Sequence, residues 1–322
     1  MSKIAFITGI SGQDGSYLAE YLLELGYEVY GIIRRNSTAE NQSVRLKNIF
    51  DNLHTYYGDL LDESSLTSLI KKIQPDEIYN LAAMSHVRIS FDIPSFTIKS
   101  NSQGVLNILE AVRQESPHTR LYQASSSEMF GNSIDADGYQ RITTPMIPVS
   151  PYGCSKLLAY NLTNLYRDAY NLHCCNGILF NHESPRRGIN FVTNKVVKGA
   201  VEIKKGLRKN LELGNLDAGR DWGHSWDYVR AMHLILNYPT ARNWVVSTGK
   251  SRTVREMCDY VFSALELNYQ DYVVQDDKFI RPNEVNHLKG DSTETQEKLG
   301  WKPRYTFETM LDEMIKFWLE KT

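Results

Sequence analysis

Cysteine is scarce in this chain: four in 322 residues, at Cys154, Cys174, Cys175 and Cys258. None stands in a C-x-x-C pair or beside histidines at ligand spacing, which argues against a disulfide framework and a structural metal. Cys154 is expected to be a small, semi-buried filler. No apolar run approaches the roughly 20 residues that cross a bilayer. The N-terminus enters a strand-like run at residues 3–8 without a signal-peptide pattern. A soluble, cytoplasmic protein without a membrane partner is therefore expected. An excess of charge is also missing: the net value is -2. That leaves no basic field for nucleic acid, so an anionic ligand must be met by local arginines. Repeats and low-complexity segments are absent too. What remains is 42% hydrophobic residues, enough to fill one large or two modest cores.

The first half alternates β-branched runs with amphipathic stretches, the pattern of β-α-β units on a parallel sheet. Strands are expected at 4–8, 28–33, 77–81, 120–125 and 174–179. Helical spacing marks 16–25, 64–73, 96–113 and 151–170, and Gly26 sits where the first helix should stop. After about Asn181 the alternation gives way to a Pro/Arg/Gly-rich stretch and shorter elements, ending in an amphipathic helix at 307–319. Two domains follow from this: residues 1–180 for a cofactor and 181–322 mainly for a substrate. Residues 227–248 are free to return to the first.

Gly9, Gly12 and Gly15, with Gln13 and Asp14 between them, lie between the first strand and the first helix. Glycines there let the backbone turn tightly and approach a pyrophosphate seated on the helix N-terminus. With a strand before and a helix after, the motif indicates a dinucleotide and an α/β, doubly wound parallel sheet of the Rossmann type. A smaller C-terminal α/β substrate domain completes that fold class. The second strand lacks the terminal acid that grips a ribose 2'-hydroxyl; it ends in Arg34 and Arg35, which suit a 2'-phosphate and hence NADP. Asp59, followed by Leu60, could accept from an adenine amino group. Leu81, Ala82, Ala83 and Ser85 supply small residues where a cofactor crosses strand ends.

Ser125-Ser126-Ser127-Glu128 ends a later strand, and Tyr152 and Lys156 follow at i and i+4 on one helix face. An ammonium there can stabilise a phenolate and bring a group of ordinary pKa about 10 toward use as a base. Glu128 adds a carboxylate within reach of substrate carbons beyond the one oxidised, suited to removing a proton α to a new carbonyl.

Residues 12–20, Arg34-Arg35, 81–83, 85–87, Tyr152/Lys156 and above all 181–188 (Asn-His-Glu-Ser-Pro-Arg-Arg-Gly) together resemble the GDP-mannose 4,6-dehydratase family, in the extended short-chain dehydrogenase/reductase superfamily. The likeness runs from Ile4 to about Trp301. It implies a GDP-sugar substrate, tightly held NADP and a homodimer or homotetramer. It also implies a cycle of oxidation at C4, loss of water across C5 and C6, and return of the hydride to C6. Catalysis would fall to Ser126, Glu128, Tyr152 and Lys156. His182 and Arg187 would touch the cofactor. Ser90, Asn181, Val192, Lys195, Arg220, Arg281 and Glu284 would join Ser126 and Glu128 around the GDP-sugar. The chain departs from the family pattern at Met84 (usually Gln), Phe96 (usually Tyr) and Ser126 (usually Thr), and in Gly153-Cys154. These changes leave mannose and a manno-heptose both open as the sugar. A silent NADP-sensing regulator is the alternative of another class, and it would need a damaged Tyr/Lys pair or a missing glutamate.

Overall fold

The computed structural model describes residues 2–37, 43–279 and 282–322. Twelve strands are assigned among them: β1 (Ile4–Thr8), β2 (Glu28–Ile33), β3 (Leu53–Tyr57), β4 (Glu77–Asn80), β5 (Arg120–Ser126), β6 (Cys174–Leu179), β7 (Asn181–Glu183), β8 (Leu211–Leu213), β9 (Gly219–His224), β10 (Asn243–Val246), β11 (Ser251–Thr253) and β12 (Val273–Gln275). The helices are α1 (Gln13–Glu24), α2 (Glu63–Ile73), α3 (Val87–Asp92), α4 (Pro94–Ile98), α5 (Gly104–Glu115), α6 (Pro151–Tyr170), α7 (Val192–Lys204), α8 (Ser225–Asn237), α9 (Val254–Ala264), α10 (Thr293–Leu299) and α11 (Phe307–Lys321).

Seven strands form one sheet in the order β10-β6-β5-β4-β1-β2-β3, every pair parallel. Parallel strands need a covered surface on both sides, and β1 shows how the sequence provides it. Ala5 and Ile7 pack with Leu18 and Leu22 of α1 and Met232 of α8. Phe6, pointing the opposite way, packs with Leu66 and Ile70 of α2 and Ile108 and Val112 of α5. This is the expected doubly wound α/β fold. A separate core gathers Val197 and Ala200 of α7, Phe262 of α9, and Met314 and Trp318 of α11. Beside it lie the β11-β9-β7 and β12-β8 sheets.

Two expectations need correcting. The single helix at 96–113 is interrupted: α4 passes through a π turn at Lys99–Gln103 before α5 begins. The wider turn accommodates buried Asn101, which brackets residue 84 by accepting from the Met84 amide at 2.8 Å and donating to its carbonyl at 3.0 Å. Cys154 is exposed rather than semi-buried, whereas the other three cysteines are buried and all four are free. Among the described residues no helix is long and apolar enough to cross a membrane.

The small core is tied to the large sheet through Asp227 in the first turn of α8. Its carboxylate accepts from the Arg304 and Tyr305 amides at 2.7 and 3.0 Å, and its carbonyl from Trp301 Nε1 at 2.8 Å. Asp227→Ala leaves those two amides without their acceptor and is expected to lower the unfolding free energy by about 2–4 kcal/mol. Urea denaturation followed by circular dichroism reads this; an unchanged midpoint would mean the amides find other acceptors.

Candidate active site

At the carboxyl ends of β1 and β4 the backbone makes a tight cradle. Gly9 adopts φ +71°, and a Cβ there would stand 2.9 Å from the Ala82 nitrogen. A Cβ on Gly15, in the first turn of α1, would collide with the Gly9 carbonyl. Gly12 is the N-cap of α1 and offers no side chain to its free amides, so they remain available to an anion. Thr8 holds the facing wall: its hydroxyl accepts from the Leu81 and Ala82 amides, both at 3.2 Å. Ala83 and Ser85 continue that wall into the cavity described below. Arg34 and Arg35 lie exposed just past β2. The Asp59 carboxylate accepts the Leu61 amide at 3.0 Å, in a local turn. The Leu60 side chain is buried under Gly104.

The side chains of Gln13 and Asp14 turn toward β7. Gln13 donates to the His182 carbonyl at 3.1 Å and accepts from the Ser184 hydroxyl at 2.8 Å. Asp14 Oδ2 lies 2.8 Å from His182 Nε2, and Oδ1 accepts from the Ser225 hydroxyl at 3.1 Å. Burial works against both charges. Even so, the partner histidine holds Asp14 below its ordinary value, and the carboxylate raises His182. With the Phe180 carbonyl 2.7 Å from Nδ1, both ring nitrogens face acceptors, and the imidazolium is the form that satisfies them.

A cavity of about 880 Å³ opens beside this joint. One wall carries Ser126 at the end of β5, Glu128 in the following turn, and Tyr152 and Lys156 on α6. The Ser126 hydroxyl accepts the Glu128 amide at 3.2 Å. Ser150 caps α6 through the Gly153 amide at 3.0 Å, with Pro151 at the first helical position. Gly153 is a packing requirement: a Cβ there would come within 2.8 Å of the Glu128 carbonyl. Lys156 donates to the Ala124 carbonyl at 2.9 Å, and its ammonium stands 5.9 Å from the Tyr152 ring centre.

The remaining walls hold Asn181, His182, Arg187, Val192, Lys195, Arg220 and Glu284. Buried Arg220 on β9 donates to the Val285 carbonyl at 2.8 Å and meets Glu284 at 3.0 Å. Ser90 is not among the lining residues. It is fully buried, donating to the Val87 carbonyl at 2.6 Å and accepting the Tyr152 amide at 3.3 Å, so it fastens α3 to α6. Arg281 lies outside the described residues. Glu183 and Asn101 escaped the sequence reading, and Arg45 was expected only in subunit contacts near the adenosine phosphate. Glu183 lines the cavity and is only 2% exposed. Arg45 donates to the Arg186 and Ser11 carbonyls, at 2.7 and 3.3 Å, beside the glycine cradle. Asn101 also donates to the Ser155 hydroxyl at 3.0 Å. Its signal was available, as a polar residue four positions before Val105 on the apolar face of α5.

Burial pushes the Tyr152 phenol up to about 12; the Ser126 hydrogen bond pulls it down and the Glu128 charge opposes that. Burial lowers Lys156 to about 8. A lysine in the unfolded chain keeps its proton to about pH 10.4. Between those values the unfolded state binds more protons, so this residue makes stability rise with pH. Lys156→Met is expected to abolish that rise between pH 8 and 10, read as the change in unfolding midpoint relative to the parent; parallel curves would show that the ammonium pays no such burial penalty.

Comparison with known proteins follows the same lines. The family model described as GDP-mannose 4,6 dehydratase matches residues 6–314. GDP-mannose 4,6 dehydratase 1 of Arabidopsis thaliana is 49% identical over 97% of this chain and 89% of its own length. The GDP-mannose 4,6 dehydratase of Homo sapiens is 44% identical over 97% and 90%. Among solved structures, a dTDP-glucose 4,6-dehydratase from Bacillus anthracis in complex with NAD superposes with a TM-score of 0.85 at 25% identity, covering 99% of this chain and 97% of that one. By the length of these matches and their level of identity, the chain belongs to the GDP-mannose 4,6-dehydratase family.

Proposed function

We propose that the protein is a GDP-mannose 4,6-dehydratase, a lyase that converts GDP-mannose to GDP-4-keto-6-deoxymannose. The observation that carries this is the meeting of Ser126, Glu128, Tyr152 and Lys156 on one wall of a cavity whose other walls bear Arg220 and Glu284. Tyr152 takes the proton of the sugar 4-hydroxyl, which requires the Lys156 ammonium to bring the phenol down from the value of about 12 that burial gives it. Ser126, which lines the cavity with Tyr152, stands as the relay. Glu128 then removes the C5 proton, acidified by the new 4-keto group, and hands it to the departing 6-hydroxyl, which leaves as water. Lys156, fixed on the Ala124 carbonyl, supplies positive charge beside the phenol.

A nicotinamide dinucleotide fits the cradle of Gly9, Gly12 and Gly15, where any Cβ would intrude and the α1 amides stay open. When bound, it would accept hydride from C4 and return it at C6, while C5 regains the proton that Tyr152 took from the 4-hydroxyl. Within that class we assign NADP: Arg34 and Arg35 follow β2 where an acid would grip a 2'-hydroxyl, and Arg45 adds a cation beside the glycine turn at Ser11. His182 and Arg187 border the same space. Residues 1–180, joined by 227–248 through the packing of α8 and β10 on the large sheet, form the cofactor domain. The remainder of 181–322, with Asn181, Val192, Lys195, Arg220 and Glu284, receives the GDP-sugar, where arginine suits the diphosphate.

Exposed Cys154, Leu158 and Leu165 on α6, with Phe96 and Ile98 of the adjoining α4, give an apolar stripe that fits a second copy of the chain, in a homodimer or homotetramer. Four free cysteines accord with a reducing cytoplasm.

GDP-mannose should yield a product lighter by one water, without added reductant, by mass spectrometry. GDP-manno-heptose run in parallel decides the sugar, and failure of both would sink the assignment. Glu128→Gln is expected to bind dinucleotide as the parent does while product formation falls by roughly 10²-fold or more. A fully active variant would remove Glu128 from the chemistry.

A further inference from the structure

Glu183, at the end of β7, has no part in the chemistry above, yet it is a carboxylate buried against the cavity and only 2% exposed. Burying such a charge is costly unless a partner compensates it. The partner is Arg187, one turn of chain later, whose Nε lies 2.9 Å from Glu183 Oε2. Burial pushes the Glu183 carboxyl up, and the Arg187 guanidinium pulls it back.

Arg187 is restrained from several sides. Its guanidinium lies 3.7 Å over the centre of the Phe191 ring. Its amide donates to the Ser184 carbonyl at 3.0 Å, and its own carbonyl accepts from Asn194 Nδ2 at 2.6 Å. With one face on Phe191 and Nε beside, but not hydrogen-bonded to, the Glu183 carboxylate, the guanidinium borders the cavity together with Tyr152 and His182. A guanidinium held between a buried opposite charge and a ring face keeps a fixed place, which suits contact with an anionic oxygen.

We propose that Glu183 is a positioning residue: its buried charge, ion-paired with Arg187, keeps the guanidinium at the cavity wall to meet an anionic oxygen of the bound dinucleotide. This rests on the reading that Arg187 touches the cofactor. On this reading the influence of Glu183 on dinucleotide binding passes through Arg187.

The test is NADPH affinity, followed by nucleotide fluorescence, in the parent and in Glu183→Ala, Glu183→Gln, Arg187→Ala and the Glu183→Ala/Arg187→Ala double variant, with folding checked by circular dichroism. Arg187→Ala should weaken binding about 10-fold or more, as the loss of a charge-assisted contact does. Glu183→Ala should weaken it comparably. Glu183→Gln, which keeps the shape and removes the charge that pairs with the guanidinium, should weaken it as Glu183→Ala does. The double variant should bind no worse than Arg187→Ala alone. If Glu183→Ala does not fold, Glu183→Asp, one methylene too short, takes its place in the cycle with the same expected non-additivity. Losses that multiply in the double variant, or a Glu183 variant that binds like the parent while Arg187→Ala does not, overturn the positioning role. Arg187→Ala binding like the parent would remove the cofactor contact itself and the proposal with it.

Discussion

Asp14 and His182 come from the first turn of α1 and from β7, 168 residues apart, and their part-buried ion pair at 2.8 Å joins the glycine cradle to the far side of the cavity. In water this pair would contribute little; out of water each charge needs the other. The ring of His182 is further held by the Phe180 carbonyl and by stacking on Tyr228 at 4.4 Å. Gln13 and Ser184 repeat the connection one residue before Asp14 and two after His182. The cradle that seats one ligand and the segment that faces the other therefore share a single rigid joint. The distance between a nicotinamide and a sugar carbon is set by backbone on both sides of it.

Within that frame the reactive wall is built from main-chain contacts. Lys156 is anchored on a carbonyl of β5, the Glu128 amide on the hydroxyl of Ser126, and the Tyr152 amide on Ser90. Side chains fastened in this way lose little freedom when a substrate arrives, which is the physical content of preorganisation. Glycine at position 153 belongs to the same design, since it allows α6 to lie against the backbone of Glu128. What reads in the sequence as an irregularity inside Tyr-x-x-x-Lys is thus a packing requirement.

The parts of the fold most legible in the sequence were those governed by local rules. Helix α6 occupies 151–170 because Ser150 caps it, Pro151 starts it and apolar residues recur at its spacing. Strand β2 ends at Ile33 and α1 stops before Gly26, which takes φ +81°. Ser126, Glu128, Tyr152 and Lys156 could be nominated together because a strand end and one helix face bring them into register. Less could be read where partners are remote. Asp14 and Gln13 looked like ligands of a pyrophosphate, and nothing local said that their side chains turn to β7. Ser90 looked like a substrate contact and is a fastener between two helices. Glu183 was hidden inside a motif whose other members drew the attention. The π turn left its trace in a polar Asn101 on an apolar face, a trace that helical spacing alone reads as noise.

The loop after Glu128 is stitched to the segment that bears Glu284. The Asn132 side chain donates to the Glu284 carbonyl and accepts the Asn286 amide, Gln140 exchanges backbone bonds with residues 289 and 291, and Arg141 reaches Asp291 at 2.8 Å. These stitches close loops of about 150 residues, so their entropic cost is met only once nearly the whole chain is present. Strands β1 to β6 pair among themselves much earlier in the chain. During synthesis, which proceeds from the N-terminus, a cradle for the dinucleotide can therefore assemble on the ribosome well before there is any wall to hold a sugar nucleotide.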